Sequence, residues 1–134
     1  MGLDEIAPMV DIAASGLRAQ SLRLNLIAGN IANAQTTRTV TGEPYRRKDV
    51  VLQTTGDGVG GVTVLNIERD SSDFRQVLMP GHPDADDDGF VQMPNVNLPV
   101  ELMNMTTASR AYQANVAVIK RYKDMVESTV ELLR

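Results

Sequence analysis

The residues of this chain best spaced for chemistry lie in Asp84-Ala85-Asp86-Asp87-Asp88-Gly89. Asp84, Asp86, Asp88 and Gly89 stand at positions 1, 3, 5 and 6 of a calcium-binding loop, and Val91 supplies the apolar residue at position 8. Position 12, which calls for a bidentate Glu, is Asn95 after Pro94, and no helical pattern flanks the loop. The expected state is a solvated acidic turn, with calcium a weak candidate at Asp84, Asp86 and Asp88. His82, the single histidine, sits in Pro80-Gly81-His82-Pro83 and has no second histidine with which to form a dyad. Ser109 has neither a glycine-flanked elbow nor a base. Gly56, Gly58, Gly60 and Gly61 are not followed by the Lys-Ser/Thr pair of a phosphate cradle. No catalytic residue, metal or cofactor is expected; an enzyme would have to assemble its site around His82 and the Asp cluster at an interface between copies.

Composition agrees. A net charge of −4 and scattered cations argue against a nucleic-acid partner. The one basic triplet, Arg46-Arg47-Lys48, reads as a strand end or solvated loop. The absence of cysteine removes disulfides, thiolate metal sites and cysteine nucleophiles. No apolar run is long enough to insert in a membrane, and no signal-peptide pattern is visible, so any export is expected to use another route.

The elements that frame these segments carry the stronger signal. Ile6, Val10, Ala13, Leu17, Gln20, Leu24, Ile27 and Ile31 recur at alternating steps of four and three. Leu102, Met105, Ser109, Tyr112, Val116, Ile119, Lys123, Val126, Val130 and Leu133 do the same near the other end. Each series lays one apolar seam along a helix that must find a partner. Val118, Tyr122, Met125 and Leu132 add a second apolar face, so several neighbours are expected beyond one intramolecular pair. The first helix should start near Asp4, with Asp4 or Glu5 complementing its positive end and Pro8 in the opening turn. It should end near Asn33. Gly16 and Gly29 each cost a helix roughly 1 kcal/mol relative to Ala, which a close backbone approach can offset. The second helix should start near Asn97, with Asn97 as cap, Pro99 in the first turn and Glu101 on the helix dipole.

Between them the chain is Thr-rich and then strand-like. Residues 45–53, 62–68 and 74–79 are predicted strands, separated by a glycine-rich turn at 55–61 and by Asp70-Ser71-Ser72-Asp73. Three strands with short connections predict an antiparallel meander, with both faces of residues 62–68 partly buried. Residues 80–99, with four prolines, are predicted as a looping return. The fold class is therefore α+β: long terminal helices forming an antiparallel coiled-coil layer over residues 4–34 and 98–134, and a small antiparallel β and loop segment over 35–97.

Ser15-Gly16-Leu17-Arg18-Ala19-Gln20, Leu24-Asn25 and Gly29-Asn30-Ile31-Ala32-Asn33-Ala34 resemble the amino-terminal signature of bacterial flagellar rod and hook proteins. Ser109-Arg110-Ala111-Tyr112-Gln113-Ala114-Asn115 is similar to their carboxyl-terminal signature. Pro80-Gly81-His82-Pro83-Asp84-Ala85-Asp86, Gly89-Phe90-Val91 and Met93-Pro94-Asn95-Val96-Asn97 are similar to the segment characteristic of the proximal-rod type. Met1 to Pro8 and the enrichment Asp86-Asp87-Asp88 depart from that pattern.

The resemblance implies a structural subunit exported through the flagellar type III apparatus and polymerised into a torque-transmitting tube across the periplasm, in the flagellar basal body. Its implied partners are other copies of itself, other proximal and distal rod proteins, the rod-to-membrane-ring adaptor and the export apparatus. The seam residues would fill helix interfaces, and Gln20, Ser109 and Lys123 would specify register. Asn30 and Asn33 would cap or bridge, and Tyr112, Gln113 and Asn115 would pair polar groups across the interface. A coiled-coil adaptor or export-associated binding module is the alternative.

Overall fold

The computed structural model describes residues 3–56 and 60–134, the side chains of 3–7 excepted. The side chains of Asp4, Glu5 and Ile6, and the middle of the glycine-rich turn, therefore lie outside what is described. Two long helices carry the architecture: α1 over Leu3–Ala32 and α2 over Leu98–Leu132. They run antiparallel, because Gly16 faces Asn115 and Asn30 faces Glu101. Pro8 falls within α1, just beyond its first turn, where it removes one helical hydrogen bond. The start of α2 follows from its sequence. The Asn97 side chain accepts from the Val100 N–H at 3.3 Å, and Pro99 occupies the first turn, where no amide partner is lost.

The middle segment departs from a three-stranded meander. It forms two separate antiparallel ribbons, β1 (Lys48–Thr54) with β2 (Val62–Arg69), and β3 (Arg75–Leu78) with β4 (Phe90–Met93). β4 lies in the stretch predicted as a loop. Its partner is the preceding strand, in the register Leu78↔Phe90 and Arg75↔Met93, but the connection over 79–89 is too long for a tight-turn signal to show the pairing. The payoff is packing, since Val91 and Met93 are buried while Phe90 and Gln92 face outward.

β2 also differs from expectation. The register slips between Val51 and Leu52, and Val64, Leu65 and Ile67 are exposed. A two-stranded ribbon has no second layer to cover its outer strand, and only the β2 start meets a helix. There the Ser15 hydroxyl donates to the Ile12 carbonyl at 2.7 Å and accepts from the Val62 N–H at 2.9 Å. A Cβ at Gly61 would lie 2.6 Å from that hydroxyl oxygen, so this close approach requires glycine.

The core is correspondingly thin. Ala13, Ala19 and Ile27 of α1, Val50 of β1, Val91 and Met93 of β4, Val96, and Ala108 of α2 are its buried apolar residues. Most are small, which brings the helices close and leaves larger apolar side chains elsewhere.

Candidate assembly surfaces and the polar clasp beneath them

At the closed end of the helix pair, Asn30 is wholly buried, at 0% exposure, and every hydrogen-bonding position of its amide is used. Nδ2 donates to the Lys48 carbonyl at 2.8 Å and to Glu101 Oε2 at 3.1 Å. Oδ1 accepts from the Lys48 N–H at 3.0 Å and from the Tyr45 hydroxyl at 3.0 Å. Glu101, 1% exposed, receives Arg47 Nε on Oε1 at 2.6 Å. Arg47 in turn meets Asp49 at 3.2 Å and Asp70 at 3.9 Å. Asn95 extends the network, accepting from the Arg47 N–H at 2.8 Å and donating to the Asp70 and Ser72 carbonyls. One connected clasp thus ties the end of α1, the first turn of α2, the start of β1 and the turn after β2.

Desolvation opposes the Arg47 charge, but the hydrogen bond and attraction from Glu101 outweigh it and hold the guanidinium above its usual range. Burial pushes the Tyr45 phenol up, with the Glu101 charge adding to the effect. Hydrogen bonds from Ser72, backbone and hydroxyl, hold the Asp70 carboxyl below its usual range, with Arg47 and Arg46 assisting.

The clasp adds to two readings. Of the two alternatives for Arg46-Arg47-Lys48 the strand end holds, since β1 begins at Lys48; beyond that, Arg47 is in the clasp, and Arg46 donates to the Asp70 and Ser72 carbonyls with its guanidinium 4.2 Å from the Phe74 ring centre. Glu101 is in the first turn as expected, yet its carboxylate faces across to Arg47 and Asn30. Neither role was visible in sequence, because the partners lie 54 and 71 residues away.

Along the helix pair, α1 presents its predicted seam to the rest of the molecule. Ala13, Ile27 and Asn30 are buried, and Val10, Leu17, Gln20, Leu24 and Ile31 are half-buried. Asn33 terminates α1, donating to the Gly29 carbonyl at 2.8 Å and accepting from the Thr36 hydroxyl at 3.1 Å. Of the two glycines, Gly16 is the close approach: a Cβ there would come within 2.8 Å of Asn115 Nδ2. At Gly29 the nearest atom, the Tyr45 hydroxyl, is 3.8 Å away, an ordinary contact.

α2 turns only part of its predicted stripe toward the rest of the chain. Its buried positions are Glu101 and Ala108, and its half-buried ones include Met105, Ser109, Asn115, Ile119, Tyr122 and Val126. Leu102, Tyr112, Val116, Val130 and Leu133 face outward with Gln113, and Leu133 is 83% exposed. Lys123 is also outside, 3.5 Å from Glu127 one turn on, so it sets no register against α1. Tyr122 and Met125, from the second apolar face, instead line a groove with Met9 and Val10 of α1. The helix therefore has Met105, Ile119, Tyr122 and Val126 half-buried and leaves its other large apolar residues exposed.

The acidic segment does not converge on an ion. Asp84 accepts from the Thr37 hydroxyl at 2.8 Å and pairs with Arg38 at 3.4 Å. Asp86 Oδ1 accepts from the Asp88 and Phe90 N–H groups, which closes a turn. Among the described residues no group of three or more His, Cys, Asp or Glu could hold a metal. His82 Nδ1 accepts from the Asp84 N–H at 3.1 Å, a turn contact. Among them, too, no helix is long and apolar enough to cross a membrane.

Comparison with known proteins decides what such a helix pair belongs to. The chain is 42% identical over 136 residues to the flagellar basal-body rod protein FlgC of Agrobacterium fabrum, covering 98% of both chains. The chain belongs to the FlgC family of flagellar basal-body rod proteins. The FlgC of Yersinia enterocolitica is 46% identical over 125 residues, with 91% of this chain and 93% of that one covered. The FlgC of Bacillus subtilis is 38% identical over 142 residues, covering 92% and 95%. Residues 11–38 match the family model of flagella basal body rod proteins, and residues 87–132 that of the flagellar basal body rod FlgEFG protein C-terminal region. As an FlgC-family member it is a structural subunit of the rod, located in the flagellar basal body and assembling with other rod components. The two matched segments contain most of α1 and all of α2, including both Asn30 and Glu101 of the clasp.

Proposed function

We propose that this rod subunit works by static packing, without catalysis, its outward α2 stripe buried against copies of itself and against other proximal and distal rod proteins. The observation that carries this reading is the apolar surface that α2 leaves exposed. Met105, Ile119 and Val126 of its stripe are half-buried, but Leu102, Tyr112, Val116, Val130 and Leu133 are exposed, so part of the stripe is unused in the single chain. Contiguous exposed apolar surface of this kind marks an interaction site. The heptad spacing of the stripe fits a helix as its partner.

On this reading the helices line a tube within the periplasm and pass torque along it through side-chain contacts. The subunit reaches its place through the flagellar type III export apparatus and also meets the rod-to-membrane-ring adaptor. The thin core is compatible with a chain that must be unfolded for export and completes its packing on assembly.

Replacing Tyr112 or Val130 with Asp in cells lacking the wild-type chain tests it. The altered chains are expected to accumulate at wild-type levels while rods stay incomplete and cells do not swim. Normal swimming by both would rule out the stripe as an interface.

A further inference from the structure

The β1–β2 ribbon ends in two like-charge pairs. Lys48 stands directly opposite Arg69, and Asp49 directly opposite Glu68. Like charges so placed destabilise an antiparallel pair, and successive residues point to opposite faces, so cations gather on one face and anions on the other. The anionic face is balanced within the chain by Arg47, 3.2 Å from Asp49. The cationic face is not. Among the described residues neither Lys48 nor Arg69 forms an ion pair. Both line a cleft of about 250 Å³ with Arg46, Tyr45 and a single carboxylate, Glu43. Three cations against one anion leave it short of negative charge.

The same chain carries a segment of the complementary kind. Asp86, Asp87 and Asp88 are exposed, and none forms an ion pair among the described residues. The turn that displays them is closed by the Asp86 carboxylate and by Gly89 at φ +83°, so the acidic group is presented in one shape. Two different patches of one chain that fit each other make a heterologous contact, the type that repeats into a helical assembly.

We propose that the cationic face at Lys48 and Arg69 receives the Asp86–Asp88 turn of a second copy of this chain. This rests on the rod-subunit reading and adds to it a polar contact separate from the α2 stripe. Desolvated charge complementarity of this sort would fix which copy meets which, and in what register.

The chain has no cysteine, so engineered thiols report without background. Chains bearing Asp87→Cys and chains bearing Arg69→Cys are co-expressed in cells lacking the wild-type chain, and purified basal bodies are oxidised with copper phenanthroline. A disulfide-linked dimer containing one of each is expected, and is lost when either variant is expressed alone. In parallel, Lys48→Glu with Arg69→Glu, and Asp87→Lys with Asp88→Lys, should each lose swimming, and the four changes together should regain it. Absence of the mixed dimer from basal bodies that contain both chains would overturn the proposal. If the cysteine chains do not enter basal bodies, the charge exchange decides alone, and failure to regain swimming overturns it. Either failure leaves rod membership standing, which would fall only if the unaltered chain did not copurify with basal bodies.

Discussion

The side-chain amide of Asn30 pairs with the backbone of Lys48 as a neighbouring strand would, donating to its carbonyl at 2.8 Å and accepting from its N–H at 3.0 Å. A helix residue thereby substitutes for a strand at the first position of β1. The same amide still reaches Glu101 and Tyr45, so a single side chain joins three elements.

Removing it should be costly. Asn30→Ala leaves the Lys48 backbone groups and a Glu101 oxygen short of a partner, and a stranded buried polar group costs roughly 1–3 kcal/mol. A loss of about 3 kcal/mol in urea unfolding of the purified chain is expected. A change below about 0.5 kcal/mol, the usual range for a surface substitution, would show that water replaces the amide.

Glu101 and Arg47 should behave as one unit. Breaking a buried ion pair by removing one member costs about 3–5 kcal/mol, because the other charge remains desolvated. Glu101→Ala and Arg47→Ala are each expected to destabilise strongly, and the double variant to cost much less than their sum. Additive losses in a double-mutant cycle would mean that the two side chains contribute independently.

Gly16 and Asn115 make a prediction of sign. In an exposed helix Gly→Ala gains about 1 kcal/mol, but at Gly16 the new Cβ would meet Asn115 Nδ2 at 2.8 Å. That amide is also held by the Ala111 carbonyl at 3.0 Å. Gly16→Ala should therefore destabilise the wild-type chain and stabilise the Asn115→Ala chain. Stabilisation in both backgrounds would remove the close-approach argument.

Tyr45 gives a pH dependence. Its folded phenol titrates above its unfolded value, owing first to burial and then to the Glu101 charge. The associated stability is complete below pH ~10 and is lost as pH rises through the folded value. In absorbance titration the Tyr45 component, taken as the difference between the wild-type chain and Tyr45→Phe, should ionise above the usual tyrosine range. A difference component at or below that range would contradict the burial of its hydroxyl.

The helices, their spans and the α2 cap were legible because they depend on local spacing and on the side chain of Asn97 itself. β4 was not, since Phe90–Met93 finds its partner across a long turn and its alternation covers only four residues. The direction of the α2 stripe was also hidden. Periodicity puts Leu102, Tyr112, Val116 and Val130 on one stripe with Ile119 and Val126, but not which of them the single chain covers: Ile119 and Val126 are half-buried and the other four exposed. For the same reason the clasp residues looked ordinary one at a time: Asn30 as a helix end, Glu101 as a dipole partner, Arg47 as part of a basic triplet.

The central claim is that the exposed part of the apolar stripe of α2 belongs to the assembly rather than to the single chain. An electron cryomicroscopy map of the intact basal body, at a resolution that shows side chains, tests it most directly. Leu102, Tyr112, Val116, Val130 and Leu133 are expected to be buried against helices of neighbouring rod subunits, with Glu101 still on Arg47 inside each chain. A rod in which those five side chains face solvent, or in which α2 has rotated to place them against its own α1, would contradict the account.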